Sequence, residues 1–76
     1  MKDLIEYIAV SLVEAPDQVS VEKTKRDQTT VYQLRVSPED RGRVIGRQGR
    51  TARSIRTVLS AAASRTGKRV VLEIVE

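Results

Sequence analysis

A chain of 76 residues with 39% apolar and 32% charged side chains has room for one small core, and its composition is that of a folded rather than a disordered protein. It contains neither cysteine nor histidine, which excludes disulfide staples, thiolate and imidazole chemistry and every Cys/His metal site. The net charge of +4 conceals an asymmetry: residues 1–40 carry five basic groups against eight acidic ones, whereas residues 41–76 carry nine against two.

From Lys2 to Ala15 the pattern predicts a helix. Leu4, Ile5, Ile8, Ala9 and Leu12 form one stripe at helical spacing, with Asp3, Glu6 and Glu14 away from it, and Pro16 ends the helix by biasing Ala15 out of helical angles. Val19 and Val21 then alternate with Ser20 and Glu22, and Tyr32, Leu34 and Val36 alternate with Gln33 and Arg35. These are two strands, joined through Lys25-Arg26-Asp27-Gln28 as a hairpin. Tyr32 is in phase with the inward residues of its strand. Ser37-Pro38-Glu39-Asp40 announces a second helix, with serine able to cap, proline suited to the first helical position and two carboxylates at the positive end of the dipole.

That helix is short, because Gly46 follows within two turns. A third helix begins after Gly49, with Ala52, Ile55, Val58, Leu59, Ala62 and Ala63 as its apolar stripe, and Gly67 suits a left-handed stop. Val70, Leu72 and Ile74 alternate with Val71 and Glu73 as a third strand. The order is α-β-β-α-α-β, an α+β two-layer architecture in which a three-stranded sheet is covered by helices on one face.

Arg41, Arg43, Arg47, Arg50, Arg53 and Arg56 fall within sixteen residues that contain no acid. Such a patch repels itself unless a polyanion neutralises it, and the planar guanidinium suits phosphate; the plain alternative is a solvated helix face. Inside it lies Gly42-Arg43-Val44-Ile45-Gly46-Arg47-Gln48-Gly49-Arg50. Two glycines three apart let the backbone turn sharply and approach a ligand closely, and a loop feeding a helix start offers free N–H groups to phosphate. A nucleotide-binding P-loop is excluded, because no Gly-Lys-Ser/Thr follows and no strand immediately precedes. Glycine spacing alone would equally serve a helix–turn–helix connector; the flanking arginines and the element order favour binding.

Val44-Ile45-Gly46-Arg47-Gln48-Gly49 matches the V-I-G-x-x-G signature, and in this element order the chain resembles a KH domain of the prokaryotic (type II) topology. The likeness runs essentially end to end, residues 1–76 forming one KH domain, and Gly42 to Thr51 followed by Ile55-Arg56-Thr57 is similar to the small bacterial single-KH RNA-binding proteins of the KhpA (YlqC) family. The resemblance implies a groove for about four single-stranded nucleotides, clamped through their backbone by the glycine loop, with the edge strand as the opposite wall. Gly46, Arg47, Gln48 and Gly49 are then the phosphate clamp, and Val44 and Ile45 build the groove floor or the core beneath it. The second variable loop position is often lysine in that family and here is Gln48, so Arg47 supplies the loop's charge. Arg43 and Arg50 are expected as added phosphate contacts on charge and position, Arg53 as an extension of the track. Arg56 lies nearer the apolar edge, where a surface salt bridge is an equal alternative. With only Tyr7 and Tyr32 as aromatics, a base-stacking platform is not expected.

The resemblance also implies dimerisation, as a homodimer or with a larger KH-containing partner of the KhpB (Jag/EloR) type. Val58, Ala61 and Ala62 on the third helix are the expected contact, although Ala61-Ala62-Ala63 serves a shallow core equally well. The expected function is a non-catalytic single-stranded RNA-binding protein, an RNA chaperone or post-transcriptional regulator in the cytoplasm. The alternative is a subunit whose KH fold chiefly docks a partner protein or the ribosome. No cofactor, small-molecule substrate or membrane is expected: the longest apolar runs are three to four residues. Catalysis is disfavoured, because Ser37 has no histidine to activate it and Glu39 and Asp40 are accounted for by the helix start.

Overall fold

The computed structural model describes residues 1–75 and has the expected order α-β-β-α-α-β. Helix α1 spans Lys2–Leu12, β1 Ser20–Arg26, β2 Thr29–Arg35, α2 Arg41–Ile45, α3 Arg50–Ser64 and β3 Arg69–Val75, with short 3₁₀ turns at Pro16–Gln18, Pro38–Asp40 and Arg47–Gly49. The sheet order is β1-β2-β3, with β1 antiparallel and β3 parallel to β2, so the α2–α3 pair is the crossover that parallel pairing requires. Register aligns Val21 with Leu34 and Tyr32 with Lys23 and Leu72, placing the buried residues of the strands on one face. Ile5 and Ala9 of α1, Val44 of α2 and Ile55 and Leu59 of α3 close over that face. Each of the isoleucine, valine and leucine side chains among them contributes about 1.5–3 kcal/mol when fully buried. Tyr32 is in this core, as its phase predicts, at 4% exposure.

Several boundaries differ from the sequence expectation, each for a local reason. Helix α1 ends at Leu12 rather than Ala15. Val13 is already extended, and the N–H groups of Glu14 and Ala15 donate to the two carboxylate oxygens of Asp40, each at 3.1 Å. A long-range carboxylate therefore takes over the backbone before Pro16 can act. Leu4, expected in the buried stripe, is 41% exposed; only Ile5 and Ala9 are fully covered, with Ile8 and Leu12 half-buried. The hairpin is tighter than expected: Arg26 pairs with Thr29, so Lys25 and Arg26 belong to the strand and Asp27-Gln28 alone make the turn, Asp27 at a φ of 55°. Val36 lies beyond β2 yet is buried.

Ser37 does not cap the backbone. Its hydroxyl donates to the Glu39 carboxylate, which holds the Glu39 pKa below its ordinary value. Nor does Asp40 serve the helix dipole from the surface: it is buried and spent on Glu14, Ala15 and Arg43. In α3 the buried stripe is Ala52, Ile55, Leu59 and Ala63, whereas Val58 is 51% exposed and Ala62 is also exposed. Among the described residues no helix is long and apolar enough to cross a membrane.

Candidate nucleic-acid interface

Helix α2 is five residues long because Gly46 adopts φ 78° and ψ 170°, a region open essentially to glycine alone. Its N–H still reaches the Gly42 carbonyl at 2.8 Å, and its own carbonyl accepts from the Gly49 N–H at 3.0 Å, closing the loop on itself. Gln48 (φ 57°, ψ 27°) and Gly49 (φ 74°, ψ 12°) are both left-handed. Three of four consecutive residues thus have positive φ, and α3 starts from Gly49 with no side-chain cap. Its first N–H groups are left without a side-chain partner, as an anion-accepting helix start requires.

The two glycines do different work. A Cβ on Gly46 would collide with Thr51 Oγ1 and lie 2.8 Å from the Thr51 backbone nitrogen, so this glycine lets the loop fold back onto α3. A Cβ on Gly49 would meet nothing within 4 Å. That bare main chain faces open space, as close contact with a ligand backbone demands.

Around the loop the expected residues separate. Val44 is wholly buried and belongs to the core, while Ile45 is 39% exposed beside the glycines. Arg47, Arg50 and Arg53 are exposed, and none of the three forms an ion pair among the described residues; Arg50 makes only a long 3.4 Å contact with Gln48 Oε1. Arg43 is turned away, pairing with Glu14 at 2.9 Å and with Asp40 at 3.3 Å, so acids of the first half already neutralise it. Arg56 donates from Nε to the Leu72 carbonyl at 3.3 Å, a main-chain partner rather than a carboxylate.

That bond bridges α3 and the edge strand β3 beside a cavity of about 470 Å³, whose polar lining includes Arg56, Ser60, Ser64, Lys68 and Arg69. Sequence reasoning missed Ser60, Ser64, Lys68 and Arg69. The signal was present: Arg56, Ser60 and Ser64 recur every four residues along one margin of α3. The glycine loop stands at the start of α3 and the cavity follows that helix toward its end, so loop and groove share one wall.

A mixed three-stranded sheet of this order, with a short-helix, glycine-loop, long-helix crossover carrying Val-Ile-Gly-Arg-Gln-Gly, defines a type II KH domain. A family described as "KhpA/KhpB, KH domain" matches residues 2–74, and this chain belongs to that family. Among its relatives, "RNA-binding protein KhpA" of Clostridium acetobutylicum is 53% identical over 75 residues, covering 99% of this chain and all of the relative. The proteins of the same name from Aquifex aeolicus and Chlamydia caviae are 49% and 42% identical over 76 residues, covering all of this chain and 96% and 97% of theirs. No solved structure matches at a comparable level of significance.

Proposed function

We propose that this protein is a non-catalytic single-stranded RNA-binding protein that holds the RNA backbone with the loop Gly46-Arg47-Gln48-Gly49 and acts in the cytoplasm as an RNA chaperone or post-transcriptional regulator. One observation carries this reading: the unobstructed main chain at Gly49, flanked by Arg47, Arg50 and Arg53, which form no ion pair among the described residues, stands at the start of α3, the helix that walls the cavity against β3. The name shared by the relatives, RNA-binding protein KhpA, supports it. Arg43 contributes least in this reading, since a phosphate would have to compete with Glu14 and Asp40. The exposed arginines give the experiment its form. With about three phosphates neutralised, the logarithm of the binding constant for an unstructured RNA falls with that of salt concentration at a slope of roughly −2. Fluorescence anisotropy between low and moderate salt measures it, and RNA binding that is absent at low salt removes the proposal. The docking alternative gains some support from Tyr7, 72% exposed on α1 between Leu4 and Val10. It prevails if the protein ignores RNA at low salt and binds a protein partner.

A groove of about four nucleotides offers little specificity alone, and pairing two such grooves raises avidity without new contacts. In this proposal the protein works as a homodimer or with a KH partner of the KhpB (Jag/EloR) type, through the exposed Val58, Ala61 and Ala62 of α3. Small residues let a partner helix approach closely, and Val58 supplies apolar area. Val58→Asp is expected to halve the mass measured by light scattering while leaving the helical circular dichroism intact. An unchanged mass removes this face from the interface.

A further inference from the structure

The helix-covered face of the sheet carries unneutralised charge at one end. In the β1–β2 register Lys23 pairs with Tyr32 and Lys25 with Thr30, and both partners are buried, so strand alternation directs these lysines to the covered side. There, between the start of α1 and the last turn of α3, lies a cavity of about 170 Å³ lined by Lys23, Lys25, Lys68, Thr30, Tyr32 and Thr66 among others. No acidic side chain lines it, and none of the three lysines forms an ion pair among the described residues. Three ammonium groups around one small hollow repel one another, and an anion placed between them relieves that repulsion.

The hollow adjoins the groove. Ala63, Lys68 and Val70 line both cavities, which meet at the connection between α3 and β3. A strand held at the glycine loop and running past Arg56, Ser60 and Ser64 covers the 15 residues of α3, about 22 Å, before it arrives at Lys68. We propose that the Lys23–Lys25–Lys68 hollow is a second phosphate site, which takes the backbone of an RNA strand that extends beyond the groove. The inference rests on the RNA-binding reading above. Lysine suits this role, since a flexible point charge follows a mobile strand without the fixed geometry that a guanidinium imposes.

The test compares an oligouridylate of four residues with one of twelve, using backbone amide shifts and anisotropy on the full chain. In the wild type the twelve-mer is expected to shift the amides of Lys23 and Lys25 together with those of the glycine loop, whereas the four-mer shifts the loop and the groove wall, Lys68 included, and leaves both β1 lysines unmoved. The exposed pair Lys23→Gln/Lys25→Gln should lose about tenfold in affinity for the twelve-mer, with a salt slope shallower by roughly 1.4, and bind the four-mer as before. If the twelve-mer shifts the loop but not Lys23 and Lys25, or the double variant binds it unchanged, the second site is overturned and the RNA reading stands. The lysines would then serve only to guard the edge strand β1 against pairing with other chains. If neither oligomer shifts the loop, both readings fall together.

Discussion

Replacing Arg47 and Gln48 together by aspartate is expected to lower RNA affinity about a hundredfold or more while moving the thermal unfolding midpoint by only a degree or two. The effect is electrostatic and local. The exchange takes the loop from one positive charge to two negative ones, set where the proposed clamp would hold a phosphate against the main chain of Gly49 and the start of α3. Stability is spared because both side chains are exposed, and because aspartate is among the few residues other than glycine that accept the left-handed conformation of Gln48. Anisotropy titration and circular dichroism melting on the same samples separate the two effects. Binding that survives the exchange overturns the clamp. A melt that collapses shows that the loop is structural instead.

The glycines of the loop should part company when each is changed to alanine. Gly46→Ala forces a Cβ onto a backbone with φ 78° and ψ 170°, against the Thr51 nitrogen at 2.8 Å. The Thr51 side chain can rotate away, but the first turn of α3 cannot. Together these cost about 3 kcal/mol, a large share of the roughly 4–11 kcal/mol available to a domain of this size, and lower the melting midpoint by some 12–24 °C. Gly49→Ala meets open space and pays only the left-handed penalty of about 1 kcal/mol. Its methyl group occupies the approach of the ligand backbone, so RNA affinity falls about tenfold with little loss of fold. Urea unfolding read beside RNA titration decides the matter. Equal stability losses for the two variants would show that the loop does not have the described geometry.

Much of the architecture was legible because it follows from local rules. The two-residue alternation in Tyr32-Leu34-Val36 and Val70-Leu72-Ile74, the breaks at Gly46 and Gly67, and the four-residue recurrence through Ile55, Leu59 and Ala63 depend only on backbone periods. The loop was legible too, since a pair of glycines amid arginines requires no knowledge of distant residues. What misled was the assumption that charge acts near its own place in the chain. Asp40 and Arg43 looked like parts of the second helix and the basic track, yet one is buried under the residues that follow α1 and the other is paired with Glu14.

The amino-acid order by itself determined the succession of helices and strands, the identity of the glycine loop and the bias of basic charge toward the second half, because each is a property of neighbouring residues. Only the tertiary structure decided which arginines form no ion pair among the described residues, that Gly46 is needed for packing while Gly49 stays bare, and that two lysines of β1 line one hollow with Lys68. Those outcomes depend on which groups are brought within a few ångströms from separate parts of the chain, and burial and ion pairing respond to that proximity rather than to sequence distance.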